Sequence, residues 1–281
     1  MGRSIGSVRV LGPGDVSAAL AVIDRDPVVN VFADYRTRIT QLDTRWLGGE
    51  MWGYLEDDEL VSLCHIGANL VPVNATPAAC EAFAERATRS GPRSSTIVGP
   101  QDAVAELWRG LEDTWPAPRD ARWDQPHLVA RQPAPIECDP LVRRTPKELT
   151  DVLYPACVAM YTEELGVSPE LQGGSALYRA RVAQLISKGY AFAHIEDDEV
   201  VFKAELHAVT PAACQIQSVW VNPRYRGRGL AAPGVAAVCA AAIRDYAPTV
   251  SLYVNEHNDP ARRAYDRVGF VERCRFATIL F

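Results

Sequence analysis

Two similar mixed α/β halves, each a mostly antiparallel sheet flanked by helices, are what this 281-residue sequence predicts. Three observations carry that expectation. The stretch YLEDDELVSL (54–63) returns as HIEDDEVVFK (194–203), at an offset of 140 that is close to half the chain. Both copies read as strand, acidic turn, strand, and each follows a helical region: ALAVIDRDPVVNVFADYRTRI in the first half, LTDVLYPACVAMYTEEL in the second. Pro-rich punctuation in WPAPRDARWDQP (115–126) and RQPAPIECDP (131–140) separates the halves. The domains expected are therefore 1–135 and 136–281.

The second half is the more legible. Residues 141–144 read as a strand, and 146–165 as a helix with Thr145 as cap and Pro146 at its first position. A second helix over 175–188 stops at Gly189. Strands follow over 190–196, 199–209 and 215–221, where apolar residues alternate or run between turn residues. A small-residue helix (230–246), a strand (249–254), a short helix (260–268) and one or two closing strands (270–281) complete the order.

Composition excludes several classes of function. With 48% hydrophobic and 23% charged residues the chain has the usage of a globular protein. Its net charge of −6 shows no nucleic-acid footprint. Seven Cys without a CxxC pair, and five His without an i, i+4 pair, disfavour a disulfide framework and a metal centre. No apolar run approaches the roughly 18 residues of a membrane span, and no signal-type segment opens the chain, so a reduced cytoplasmic protein is expected. Gly2 follows Met1, but Gly6 stands where a myristoylation pattern needs Ser or Thr.

Charge is distributed unevenly. Residues 206–244 contain no Asp or Glu, where the chain average would place roughly five. Inside that stretch, QSVWVNPRYRGRGLAAPGVAAV (217–238) runs from an apolar strand through Arg224, Arg226, Gly227, Arg228 and Gly229 into a helix. Glycines let successive N–H groups turn into one concavity, and a helix start adds about half a positive charge behind them, so the segment reads as an anion cradle. The same letters fit two kinds of enzyme. Gly227, Gly229 and Ala232 match GxGxxA, with Glu256 after the next strand as a ribose-binding acid, which would make a dinucleotide-dependent oxidoreductase. Against it, the cradle begins 54 residues before the last residue, and antiparallel hairpins precede it. A GxxxxGK[ST] loop is absent.

The alternative rests on two motifs together. Arg224, Gly227 and Gly229 stand at the fixed positions of [QR]xxGx[GA], and SLYVNEHNDPARRAYDRVGF (251–270) presents Asn258, Ala261, Tyr265, Gly269 and Phe270 as NxxAxxxYxxxGF. In that order and near the C-terminus, the pair resembles the GNAT superfamily of N-acetyltransferases over residues 138–281. The first half has no such loop, so the chain resembles a tandem of two GNAT-like domains with a degenerate first copy.

The resemblance implies an acyl-CoA-dependent N-acyltransferase using acetyl-CoA as cosubstrate, without metal, with an amine acceptor and with neither nucleic acid nor membrane as partner. It places the cofactor pyrophosphate on Arg226, Gly227, Arg228, Gly229, Leu230 and Ala231 beside Arg224. The pantetheine would lie along Val219, Trp220 and Val221, the thioester in a splay of the sheet. Tyr265 would protonate the departing thiolate, and Asn258 would serve as helix cap and cofactor contact. Relatives often carry a Glu base on the strand before the loop, where this chain has Gln215 and Gln217. Glu205, Glu163 and Glu164 are the candidate bases instead, with His207 beside Glu205. Without a strong base, an α-amine near pKa 7.8 is a better acceptor than a lysine-type amine near 10.4. A noncatalytic acyl-CoA sensor is the remaining reading.

Overall fold

The computed structural model describes residues 6–281, so Gly2 and its lipidation pattern lie outside the described residues. The chain forms two compact units that do not follow a single cut. One comprises the chain up to His127 together with 253–257 and 272–281; the other comprises 128–252 and 258–271. The expected boundary at 135 falls close to the passage between them. The difference lies in the last strand, which the order of the sequence assigns to the second half and hydrogen bonding assigns to the first unit.

In the first unit the strands are β1 (Ser7–Val10), β2 (Gly49–Glu56), β3 (Glu59–Gly67), β4 (Asn69–Val73), β5 (Thr96–Pro100), β6 (Asp120–Ala130, which it contains as far as His127) and the terminal β12 (Val271–Leu280). Their order is β1-β2-β3-β4-β5-β12-β6. β12 runs antiparallel to β5, Phe276 opposite Pro100 and Leu280 opposite Thr96. Helices α1 (Val16–Ile23), α2 (Val31–Thr40) and α3 (Thr44–Leu47) pack around Leu11, Met51, Leu63 and Val73. α4 (Pro77–Ser90) and α5 (Gln101–Arg109) cover a second cluster of Trp52, Phe83, Ile97, Leu107 and Ile279. Ile279 and Ala277 belong to that core, so burial as well as pairing ties β12 to this unit.

The second unit is built on β7 (Arg143–Arg144), β8 (Ala191–Glu196), β9 (Glu199–Val209), β10 (Cys214–Val221) and β11 (Val250–Tyr253), in the order β11-β10-β9-β8-β7. α6 (Thr150–Leu165) and α7 (Ser175–Ser187) pack with Leu153, Cys157, Val182, Ala193 and Trp220, while α8 (Ala231–Asp245) and α9 (Asp259–Val268) complete the unit. α6 starts later than expected: residues 147–149 form a 3-10 turn and Leu149, not Thr145, is the capping residue. α8 is made of small residues because it lies close to the sheet. A Cβ built on Gly234 would stand 2.8 Å from the Phe202 ring, below any normal contact.

The sequence echo is an echo of structure. Asp57 and Asp58 take φ of 48° and 65°, and Asp197 and Asp198 take 47° and 60°. Each pair makes a two-residue turn with both φ positive, which matches the twist of the strands it joins. Both hairpins carry a register shift at the same place, between Tyr54 and Leu55 and between His194 and Ile195. A duplicated hairpin with its irregularity retained is the simplest account.

Candidate functional site

β10 is paired unequally on its two sides. It runs antiparallel to β9 from Cys214 to Val221, but parallel to β11 over only two pairs, Cys214 with Val250 and Gln215 with Ser251. Beyond them no further pair joins the two strands among the described residues, so Gln217–Val221 are not paired with β11. Gln217 faces Glu205 and Trp220 faces Lys203, so β10 holds one residue more than β9 across this step. Ser218, at φ 56°, is in that bulge. Bulges interrupt the ladder locally, re-aim backbone groups and are over-represented next to active sites.

The strand leads into the anion cradle. Asn222 Oδ1 accepts the Arg224 N–H at 3.1 Å and starts a 3-10 turn over Pro223–Tyr225. Gly227 and Gly229 follow at φ 76° and 77°, with nothing within 4 Å of a built Cβ. Their positive φ favours glycine, while the space above them is open. α8 then begins after Leu230 without a side-chain cap. The first N–H bonded within the helix is that of Gly234, to the Leu230 carbonyl at 3.1 Å, and Pro233 has no N–H. The Ala231 and Ala232 amides therefore head the helix with its positive dipole end behind them, the arrangement that binds a phosphate or diphosphate.

The corresponding place in the first unit is built differently. There β4 reaches α4 through residues 74–76 alone, and Thr76 Oγ1 accepts the Ala79 N–H at 3.2 Å. That helix start is closed by its own side chain and has no glycine loop in front of it.

Folding changes the charge balance around the cradle. The acid-free stretch suggested three arginines without nearby carboxylates, but tertiary structure brings two. Arg224 pairs with Glu199 at 2.9 Å, and Arg226 with Glu163 at 2.7 Å. Arg228 donates to the Arg224 carbonyl at 3.3 Å and lies over the Tyr225 ring. Arg224 and Arg226 are thus engaged by carboxylates rather than standing in an acid-free surrounding.

The candidate acids have different surroundings. Glu163 accepts from Arg226 and, at 3.2 Å, from the Trp220 indole. The Arg226 hydrogen bond holds its carboxyl below the usual range despite partial burial. Glu205 is buried and pairs with the fully buried Lys203 at 2.6 Å. Burial alone would raise the Glu205 pKa, but the Lys203 charge and hydrogen bond outweigh it and leave it lowered. Both carboxylates are committed to partners and are poor proton acceptors. The Glu164 charge reaches the Tyr265 hydroxyl. His207 meets Arg181, with Nη2 at 3.4 Å from its Nδ1.

Tyr265 lies on α9 with its ring edge-to-face with Phe270. Burial first, and the Glu164 charge second, raise its pKa well above that of an ordinary phenol. The hydroxyl stays protonated at any working pH, but full proton transfer to a thiolate is more uphill than the 1.5 units separating an ordinary phenol from a thiol. Asn258 caps α9, its Oδ1 accepting the Ala261 N–H at 3.2 Å, and is exposed.

Sequence reasoning missed Lys203 and Cys157. The signal available was a Lys and a Glu two residues apart in the otherwise apolar run VVFKAEL, which puts both on one face of a strand. Among the described residues no group of His, Cys, Asp and Glu could hold a metal ion, and no helix is long and apolar enough to cross a membrane.

Residues 159–270 match the Acetyltransferase (GNAT) family, and residues 49–153 match a domain of unknown function, DUF4081. Over 61 residues the chain is 43% identical to mycothiol acetyltransferase of Corynebacterium aurimucosum, a match spanning 22% of this chain and 20% of that protein. Among solved structures, a GCN5-related N-acetyltransferase from Sphaerobacter thermophilus superposes with a TM-score of 0.62 at 19% identity, covering 99% of this chain and 96% of the other. A tandem GNAT protein from the clavulanic acid biosynthesis pathway gives 0.56 at 14% identity, over 97% and 98%. These likenesses extend the same fold over both halves. In the second unit β10 and β11 are the one parallel pair among the strands ordered there, whereas a dinucleotide fold needs a continuing parallel series.

Proposed function

We propose, from the premise that residues 159–270 are a GNAT-family acetyltransferase domain, that this chain transfers an acetyl group from acetyl-CoA to a primary amine by direct attack. The observation that carries the reading is the start of α8: two left-handed glycines in open space, then a helix whose leading amides have no side-chain cap. A diphosphate fits that cradle. The amides of Gly227–Ala232 would hold it, with Arg224 and Arg228 at the rim, and the unpaired stretch of β10 through Val219, Trp220 and Val221 would receive the pantetheine amides as an added strand.

The thioester carbonyl then reaches the bulge. Attack by a neutral amine moves charge onto the carbonyl oxygen, and a backbone N–H freed from the ladder is placed to meet it. Tyr265 supplies a hydrogen bond to the leaving sulfur; the proton that the nitrogen sheds as the amide forms goes to the departing thiolate by way of the Tyr265 hydroxyl, so the phenol ends unchanged and amide and thiol leave neutral. Because Glu163 and Glu205 are both held as ion-paired carboxylates, the amine arrives already neutral or loses its proton through water and Glu164. An α-amine acceptor suits that weak base. The first unit, lacking the cradle, is not expected to bind the cofactor.

The test is a thermal-shift series with acetyl-CoA, longer acyl-CoAs and NAD(P), followed by thiol release with a panel of amines. Saturation at 100 times the dissociation constant adds about 2.7 kcal/mol to stability. Stabilisation by acetyl-CoA with amine-dependent thiol release supports the enzyme. Stabilisation without release under any amine supports the sensor reading, and stabilisation by NAD(P) alone refutes both.

A further inference from the structure

Beneath the bulge is a buried polar group that the reaction outlined above does not use. Lys203 on β9 has no solvent exposure and interacts with Cys157 of α6. Its Nζ donates to Glu205 at 2.6 Å and to the carbonyl oxygen of Ser218 at 3.3 Å. Cys157 of α6 closes the group, with its Sγ 3.6 Å from Glu205 Oε1. Ser218 is the residue in the bulge, at φ 56°. A buried lysine is costly unless paired. Burial opposes its charge, but Glu205 outweighs burial, and the ammonium persists in the core.

A trans peptide carries its C=O and N–H on opposite sides. Where Lys203 holds the Ser218 oxygen, the Val219 N–H of the same peptide faces away from the lysine. We propose that Lys203 is a positioning residue: by holding the Ser218 carbonyl it sets the plane of the 218–219 peptide and aims the Val219 N–H to the side of β10 that β11 leaves unpaired, where the thioester oxygen gains charge. Glu205 is the counter-ion that keeps Lys203 charged, which explains a carboxylate on this strand that is too committed to act as a base. The proposal rests on the acyltransferase reading.

Lys203→Met alone strands the Glu205 charge in the core and is expected to fold poorly, so the informative variant is the double substitution Lys203→Met with Glu205→Leu. Replacing a buried ion pair by apolar residues of similar volume is often neutral for stability. The readouts are the dissociation constant for acetyl-CoA and the carbonyl 13C shift of bound [1-13C]acetyl-CoA, which moves downfield when the oxygen accepts a hydrogen bond. Amine-dependent kcat and KM accompany them. The expected result is a dissociation constant within twofold of wild type, loss of the downfield shift, and a kcat at least tenfold lower at unchanged KM for acetyl-CoA. An unaltered shift and kcat in the double variant overturn the role of Lys203 while leaving the acyltransferase intact. Loss of acetyl-CoA binding in the double variant also overturns it, since that shows general structural damage. Failure of the wild-type protein to bind acetyl-CoA overturns the reading beneath it.

Discussion

Replacing Gly227 and Gly229 together by alanine separates the cradle from the fold. Both residues have φ near +77° and open space where a Cβ would stand, so no packing is lost. The local cost is that of an L-residue in the left-handed region, about 1–2 kcal/mol at each position. The loop can relieve this strain by returning to negative φ, which turns its N–H groups away from the concavity. A hydrogen bond to a charged group contributes about 1.5–3 kcal/mol. Loss of one or two such bonds corresponds to a dissociation constant for acetyl-CoA raised by roughly 10-fold to 20,000-fold. Isothermal titration of the double variant against wild type measures it. Gly91→Ala supplies the control, because Gly91 also has a positive φ (75°) and open space but lies at the end of α4. It should lose stability, since φ 75° and ψ 168° are a conformation nearly restricted to glycine, and leave acetyl-CoA affinity unchanged. A double variant that binds acetyl-CoA within twofold of wild type while remaining folded by circular dichroism refutes the anion cradle.

Tyr265→Phe should lower amine-dependent thiol release by about 100-fold or more, as for loss of a positioned general acid, with acetyl-CoA affinity unchanged by titration. Titration of the whole chain should give one acetyl-CoA per chain. A second equivalent would contradict the closure of α4 by Thr76. Acid stability should follow two buried histidines of the first unit. Burial pushes His65 and His127 each down to about 4, and neither ring nitrogen of His127 has a hydrogen-bond partner. The unfolded chain takes up these protons near pH 6.5 and the folded one does not. Their stabilisation is therefore complete above about pH 6.5 and lost as pH falls through about 4, by about 3 kcal/mol for each histidine. Urea midpoints between pH 7.5 and 4.5 measure this, and His127→Phe, which keeps the stack on Phe276, should remove about half of the slope.

Much of the architecture is legible from local signals. The hairpins announce themselves as apolar alternation around Asp-Asp, and the structure returns both with the same turn and the same register shift. β9 spans the residues expected, 199–209, because alternation and turn residues bound it on both sides. The start of α6 was misplaced because Thr145 and Pro146 are good opening residues, whereas the chain first makes a 3-10 turn and Thr145 does not cap it. The glycine positions of the cradle were legible for a related reason: a left-handed φ is a property of one residue and its immediate neighbours.

What the sequence determined by itself is therefore what short-range physics controls: strand and helix periodicity, turn chemistry, the glycine turn, and the paired motifs inside the stretch 159–270 that matches the GNAT acetyltransferase family. The tertiary structure decided what depends on distant partners. It assigned the terminal strand to the first unit, where β5 and the cluster around Ile279 receive it. It gave Arg226 and Arg224 their carboxylates from α6 and β9, and it converted Glu205 from a candidate base into the counter-ion of Lys203. Pairing and proton affinity depend on burial and on charges a few ångströms away, and for Arg224 and Arg226 residues 25 and 63 positions distant in sequence supply them only once the chain has folded.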